Sequence, residues 1–366
     1  LAAVLWHTAG VSEWRAGLPL RTSPSSGALF STELYVATLG LVGLAPGLWH
    51  YDAERHALAR LADAPPSPAA LGLPAGTASD GMDWIVASAV VRRTGRKYGD
   101  RSYRYLLADL GHALENVVRA AAAVGLPATL AARFDEAAAA RSLGLDGREE
   151  IVLAVVALET PGRGVARASA PVQERSMSAG TRGVEDRHAG TPASPLDLTL
   201  AMHHAPSWQP DRTVAAPQAL PTPPPDVAAS PRPSVALPAV DRVSDAGVLA
   251  RIARRRSVRR FAPDPVSLGA LAGVLDGLSA SVAPLSTAVR VQLVAHAVQG
   301  LAPGAWRCEP ATRRLLPRRV GADPRGASRA AALDQDVIGH AAVVCVLSID
   351  RAALAADQMG EARASR

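Results

Sequence analysis

The sequence is short of several residue types that carry common chemistries. Only two of its 366 residues are cysteine, Cys308 and Cys345. They stand singly in unrelated contexts, which argues against a disulfide framework and a Cys-based zinc site and leaves reduced thiols as the reading. No segment reaches the roughly 18 uninterrupted apolar residues of a membrane span, and no basic stretch precedes the apolar start at Leu1 as it would in a secretory signal. A cytoplasmic protein without membrane association is therefore expected. No GxGxxG or Walker-type loop follows any predicted strand. Lysine is almost missing: the sequence has 39 basic residues, and Lys97 is the only lysine among them. A guanidinium stays charged, whereas an amine can give up its proton, so a single retained lysine points to chemistry that needs one. A surface lysine kept by chance is the alternative. The formal charge of +6 is spread along the chain, apart from the arginines at 251–260. Without a continuous basic face, a nucleic-acid partner is not expected.

What is present is a repeat. The length suits about two domains, and Gly43-Leu44-Ala45-Pro46-Gly47-Leu48-Trp49 recurs as Gly300-Leu301-Ala302-Pro303-Gly304-Ala305-Trp306. Each run follows an alternating apolar stretch and precedes a charged turn and a second short strand, so both predict the same hairpin. Leu1-Ala2-Ala3-Val4-Leu5 likewise matches Leu271-Ala272-Gly273-Val274-Leu275, with one insertion or deletion between the two pairs of matches. On this alignment the first copy, 1–160, lacks its N-terminal segment, and the second, 246–366, lacks its C-terminal half. The alignment predicts a further Arg-Arg-Ser segment upstream of Leu1. The intervening 161–245 is rich in Pro, Ala and Ser and reads as a disordered linker, with a short helix allowed at 196–204. His203-His204 there lack the i, i+4 spacing of a shared helix face, so no metal site is expected.

Within copy one the pattern predicts a helix to about Thr8, a polar loop through Ser23–Ala28, and strands at 34–39, 48–51 and 58–61. A strand at 84–91 is apolar throughout and so buried on both faces. A long helix at 104–124 ends at Gly125, a short helix covers 134–143, and a last strand covers 151–157. Hairpins mixed with helices predict an α+β fold on a mostly antiparallel sheet.

Three short runs carry chemistry. Arg255-Arg256-Ser257-Val258-Arg259-Arg260 sets guanidiniums beside a hydroxyl, a grip for phosphate; a solvated helix end or a nucleic-acid patch would share that composition. Ser23-Pro24-Ser25-Ser26-Gly27-Ala28-Leu29 offers small side chains and backbone N–H groups to a flat heterocycle, an ordinary turn being the alternative. Lys97-Tyr98-Gly99 follows a buried strand. A lysine there, with its ammonium destabilised by burial or by Arg93, Arg96 and Arg101, can act as a base, with Tyr98 relaying or orienting the proton.

Together with Glu33-Leu34-Tyr35-Val36, Pro46-Gly47-Leu48-Trp49-His50-Tyr51, Gly111-His112, Asn116 and Phe134-Asp135, these runs resemble the nitroreductase-like flavoproteins, and within them the SagB-type azoline dehydrogenases. The resemblance covers 1–158 and again about 246–366. It implies a nitroreductase-like FMN-binding fold in two copies forming a pseudo-dimer or homodimer, and oxidation of peptide thiazolines or oxazolines to the aromatic azoles. A ribosomal precursor peptide is then the substrate and a cyclodehydratase the partner. Carried over, Lys97 is the base and Tyr98 its partner. Ser25, Ser26 and Gly27 line the isoalloxazine, and Arg255, Arg256, Ser257 and Arg259 bind the phosphate. Ala131-Ala132-Arg133-Phe134 departs from the Gly-containing turn expected before the Phe. Copy two has Gln358-Met359 opposite Lys97-Tyr98, neither of them a base, so copy two alone is expected to be inactive. A general nitro- or quinone reductase, or a noncatalytic scaffold of the same fold, are the alternative functions.

Overall fold

The computed structural model describes residues 1–76, 81–159, 195–204, 233–241, 244–282 and 288–354. They belong to two compact units, one on Leu1–Thr213 and Val243–Arg256, the other on Val214–Arg242 and Ser257–Arg366.

The first unit opens with α1 (Ala2–Ala9) and a hairpin, β1 (Val11–Arg15) and β2 (Leu18–Arg21). The hairpin falls where the sequence predicts only loop. Its turn is Ala16-Gly17 with both residues at positive φ, 49° and 77°, the geometry that suits the twist of paired strands; an alanine there gives no turn signal. Then follow β3 (Thr32–Thr38), β4 (Gly47–Asp52), β5 (Ala57–Ala62) and β6 (Asp83–Val90). α2 (Val91–Tyr98) comes next, then α3 (Ser102–Ala123), β7 (Ala128–Leu130), α4 (Glu136–Ser142) and β8 (Glu150–Leu158). The six main strands form one antiparallel sheet in the order β5-β4-β3-β6-β8-β7. Both faces are buried. Leu34, Val36, Ile85 and Val156 meet Val4 and Leu5 of α1 and Leu110 and Val117 of α3. Tyr35, Ala37, Trp84 and Val86 on the opposite face meet Phe134, Ala139 and Leu143. The period of two in each strand makes this division, since successive side chains leave opposite faces.

Local signals set the ends of these elements. Asp135 caps α4 by accepting from the Ala138 N–H at 2.9 Å. α3 stops at Gly125, whose φ is 69°; its N–H and that of Leu126 donate to Ala122 and Ala121, closing the helix on two of its last carbonyls. The strand expected at 84–91 ends at Val90, and the residues from there to Lys97, for which no helix was expected, are helical. Val91, Thr94 and Gly95 then form the buried stripe of a helix, with Arg92, Arg93, Arg96 and Lys97 outward. α5 (Pro195–His204) lies inside the Pro-rich stretch and rests on α2 and α3, with the Ser102 and Thr199 hydroxyls 2.7 Å apart and buried.

The second unit contains β9 (Val235–Ala236), whereas α6 (Asp245–Arg254), which follows it in the chain, belongs to the first unit and packs on α3. The second unit continues with α7 (Leu268–Val282), β10 (Val289–Ala295), β11 (Gly304–Glu309), β12 (Arg314–Val320), α8 (Arg325–Ala331), α9 (Asp336–His340) and β13 (Val343–Ile349). Its strand order, β13-β10-β11-β12-β9, repeats β6-β3-β4-β5 of the first unit. The likeness reaches single contacts. Trp49 Nε1 donates to the Ala45 carbonyl, and Trp306 Nε1 to that of Ala302. The register shifts at Leu48/Trp49 in one hairpin and at Ala305/Trp306 in the other. Here the strands bury mainly one face, against Leu271, Ala272 and Leu275 of α7. Among the described residues, no helix is long and apolar enough to cross a membrane.

The repeated glycine carries a testable demand. A Cβ on Gly47 would lie 2.6 Å from the Ala62 carbonyl oxygen, and one on Gly304 2.3 Å from that of Arg319. Backbone cannot move aside as a side chain can, so Gly47→Ala and Gly304→Ala should each cost about 2 kcal/mol or more. Gly43→Ala meets nothing within 4 Å and carries only the strain of φ 79°, about 1 kcal/mol. Denaturant unfolding of the full chain would show the difference, and equal losses at Gly47 and Gly43 would contradict the assignment.

A second prediction concerns α5. Burial, and secondarily the charge of His204, push the His203 imidazole down to about 4. The ring sits 3.4 Å from the Tyr103 hydroxyl, beside a cavity of about 190 Å³ also lined by Glu136, Arg141, Asp146, Arg148 and His204. The unfolded histidine takes a proton near pH 6.5, about where its unperturbed pKa lies. α5 docking is therefore full above that pH and weakens as pH falls toward 4, by a few kcal/mol at most. Hydrogen exchange of α5 amides, corrected for the intrinsic rate, should show protection lost between pH 7 and 5, and His203→Phe should remove that dependence.

Candidate functional site

The loop between β2 and β3 is the most heavily tied irregular segment of the first unit. At its entry the Arg255 guanidinium donates to the carbonyls of Thr22 (2.9 Å) and Arg21 (3.3 Å). At its middle the Asp109 carboxylate accepts from Ser25 Oγ at 2.7 Å, from the Ser26 N–H at 2.9 Å and from Ser26 Oγ at 2.9 Å. Ser25 Oγ in turn accepts from the Phe30 N–H. At its exit the buried Ser31 and Thr94 hydroxyls lie 2.6 Å apart, and Arg93 of α2 donates to the Phe30 carbonyl. So many ties hold a strained path: Gly27, Ala28 and Phe30 have φ of 65°, 55° and 48°. For the two non-glycine residues this conformation costs about 1 kcal/mol each, and strain of this kind gathers at functional loops.

The loop and α2 meet at one point. A Cβ placed on Gly27 would lie 2.9 Å from Lys97 Nζ and 2.9 Å from Tyr98 OH. The missing side chain of Gly27 is the seat of the Lys97 and Tyr98 tips. The Lys97 ammonium also lies 5.6 Å from the Tyr98 ring centroid, and that ring packs on Tyr105 at 4.4 Å. Tyr98 is partly buried, but Lys97 is exposed. The burial expected to help Lys97 shed its proton is not supplied by the first unit itself.

Behind this point lies a charged cluster. Glu33, buried on β3, pairs with Arg93, with His50 at 3.1 Å and with Arg21 at 3.9 Å. Burial pushes its carboxyl up, but the His50 hydrogen bond and the Arg21 and Arg93 charges outweigh that and hold it below the usual carboxylate range. The bond to Glu33 raises His50 above its ordinary value, and burial depresses Arg21.

The sequence-predicted residues fall into three groups. Ser25, Ser26, Gly27, Lys97 and Tyr98 come together on the first unit. Arg255 and Arg256 join that unit through α6, but their donors are committed: Arg255 to Thr22 and Arg21, Arg256 to Glu13 Oε2 at 2.6 Å and to the Ala253 carbonyl. Burial lowers Arg255 further. Ser257 and Arg259 belong to the second unit. Gln358 and Met359 lie outside the described residues. The donor set of one ammonium, one phenol and two guanidiniums suits a heterocycle rich in acceptor atoms that carries a phosphate, the chemistry of FMN. On the phosphate side the anion would compete with Glu13 for Arg256. The two cavities of about 190 Å³, one in each unit, include neither the loop nor Lys97 and Tyr98.

Sequence reasoning missed Asp109 and the Ser31–Thr94 pair. Asp109 was there to be found: α3 buries 103, 106, 110, 113 and 117, and an acid at 109 sits on that apolar stripe. A carboxylate in such a position requires donors from elsewhere in the fold.

Comparison with known proteins agrees with the architecture. The nitroreductase family model matches residues 1–158. A Methanocaldococcus jannaschii protein named as a nitroreductase is 32% identical over 133 residues, 34% of this chain. The match spans 63% of that relative's length, less than two thirds. The crystal structure of a protein named as a nitroreductase from Anabaena variabilis aligns with 95% of this chain and 72% of its own at a TM-score of 0.71 and 20% identity. At that identity the likeness shows the fold, which is α+β and nitroreductase-like. The Escherichia coli microcin synthetase McbBCD complex with truncated pro-MccB17 bound aligns with 43% of this chain and 62% of its own, at 24% identity and a TM-score of 0.37, too low to support an argument.

Gly27→Ala tests the seat. The methyl can be admitted only if the ends of Lys97 and Tyr98 move, and both are flexible tips. Stability should therefore fall by only about 1 kcal/mol, the cost of φ 65°, while the environments of Lys97 and Tyr98 change together. Tyr98 ring shifts and Lys97 side-chain NMR resonances would report this. Unchanged resonances in a folded variant would rule the contact out.

Proposed function

We infer, from a first unit whose residues 1–158 match the nitroreductase family, that this chain is part of a flavin-dependent oxidoreductase acting on peptide thiazolines or oxazolines. The observation that carries this reading is the convergence of Lys97 Nζ and Tyr98 OH on one point above Gly27. An amine and a phenol aimed at the same place form a proton-handling pair, and a reductase of nitro or quinone compounds does not need one.

FMN, when bound, supplies a two-electron acceptor for the hydride that leaves the azoline ring. The chain's own residues manage the proton. Lys97, as the neutral amine, takes the proton of the ring C–H, and Tyr98 holds the amine in place or passes the proton on. Lys97 is exposed in the chain, so the bound molecules must cover it. That cover withdraws water and makes the ammonium less favourable, producing a base where and when it is needed. The Asp109-anchored loop keeps the pair seated, Arg255 holds the start of that loop, and Arg256 holds the phosphate once it exchanges Glu13 for it. A ribosomal precursor peptide is the substrate class, and a cyclodehydratase, which makes azolines from Cys, Ser or Thr, is the partner that supplies it.

The test is the full chain purified and assayed with an azoline-containing peptide. Flavin absorbance at about 450 nm should accompany the protein. Lys97→Ala and Tyr98→Phe should keep the flavin, and Lys97→Ala should lose about 10²-fold or more of the azoline oxidation rate. Protein that takes up no flavin would leave the scaffold reading. Azoline oxidation untouched by Lys97→Ala, together with turnover of a nitroarene, would replace the proposal with a general reductase.

A further inference from the structure

Lys97 and Tyr98 do not hold themselves in place, and the group that does is remote from both in sequence. Asp109 is buried on α3, with 6% of its surface exposed. Its two oxygens accept from both hydroxyls of Ser25 and Ser26 and from the Ser26 backbone N–H. Four acceptor positions on an ionised carboxylate match this set, and neither an amide nor an alcohol can take all three donors at once. The residue after Ser26 is Gly27, whose vacant side-chain position holds the Lys97 and Tyr98 tips. A chain of contacts thus runs from the interior of α3 through two serines to the working end of α2.

We propose that Asp109 is the positioning residue of the Lys97–Tyr98 pair, acting through Ser25 and Ser26 by fixing the loop against which both tips rest. It is not a catalytic residue, since it contacts neither tip. Its role in turnover rests on the azoline-oxidation reading; its hold on Lys97 does not. The two serine hydroxyls are turned inward onto the carboxylate. Their part in the site is anchorage, which explains why two adjacent serines precede the glycine. The same network accounts for the positive φ of Ala28 and Phe30, because the Ser25 side chain that reaches Asp109 also accepts from the Phe30 N–H.

Lys97 is the only lysine in the sequence, which makes it a built-in probe. Reductive methylation with ¹³C-formaldehyde places labels on Lys97 and the N-terminal amine alone, separable by NMR. Acylation by an amine-reactive ester reports how open Lys97 is. Both readings are made on the full chain and require neither flavin nor turnover. Asp109→Asn and the Ser25→Ala/Ser26→Ala double variant should each move the Lys97 resonance. Each should also speed its acylation by about fivefold, equivalent to about 1 kcal/mol. Glu115→Gln, an exposed change on the same helix, should do neither. In the serine-less background the Asp109→Asn effect should be clearly smaller, because only the backbone N–H at position 26 still reaches the carboxylate. A wild-type resonance and rate in Asp109→Asn would overturn the proposal. So would an undiminished Asp109→Asn effect without the serines, which would mean that its charge acts directly through space. If Asp109→Asn fails to fold, the serine double variant decides alone, with wild-type behaviour of Lys97 counting against the proposal. Absence of azoline oxidation in every variant would remove the functional reading and leave this result standing.

Discussion

A carboxylate inside a helix–sheet interface must find donors, and in this protein the donors that meet it belong to the functional loop. Asp109 sits on the stripe of α3 that otherwise packs on the central sheet, where an unpaired charge would cost several kcal/mol. Ser25 and Ser26 satisfy it. In doing so they hold the loop in a left-handed path that isolated chain would not choose, and so create the vacancy at Gly27 that receives Lys97 and Tyr98. Stability and site geometry are here the same set of hydrogen bonds. The loop's other ties, from Arg255 at its start and from Thr94 and Arg93 at its end, make the arrangement stiff enough for side-chain tips to be placed by it.

The two copies of the hairpin have diverged around a shared skeleton. Equivalent bulges, tryptophan hydrogen bonds and crowded glycines persist in both, because each is imposed by backbone geometry that admits few alternatives. The surroundings differ. In the first unit helices or loops cover both faces of the sheet, and the Ser-Ser-Gly loop and Lys-Tyr pair stand at one end. The second unit buries mainly one face of its sheet, and the sequence around 281–287 bears no resemblance to that loop. Backbone constraints recur in both units where the side chains around them do not, because close packing of backbone tolerates less change than surface side chains do.

The cationic groups divide by what already occupies them. Arg21 and Arg93 are drawn to Glu33, Arg256 to Glu13, and Arg255 to backbone carbonyls. Lys97 has no ion-pair partner among the described residues and is exposed, its ammonium resting beside Gly27 and the Tyr98 ring. A protein that uses arginine for structure and keeps one lysine at the seat of a loop separates its permanent charges from the one whose charge can be removed.

How much of this was legible in the sequence follows from what kind of information each feature needs. The hairpin repeat, the α+β class, the doubly buried central strand and the long helix ending at Gly125 all came from local pattern: periodicity and capping residues. The helix carrying Lys97 was missed because four charged residues, Arg92, Arg93, Arg96 and Lys97, conceal a narrow stripe of Val91, Thr94 and Gly95. The first hairpin was missed because alanine stands where a turn usually has Asn or Asp. Asp109 could be noticed as an acid on an apolar face, but not its partners, which lie more than eighty positions away. Residue types and their order determined which groups this protein has for chemistry. Only the tertiary structure decided which of them are free to act, since hydrogen bonds between distant segments commit Ser25, Ser26 and Arg255 to holding the loop and leave Lys97 and Tyr98 at its open end.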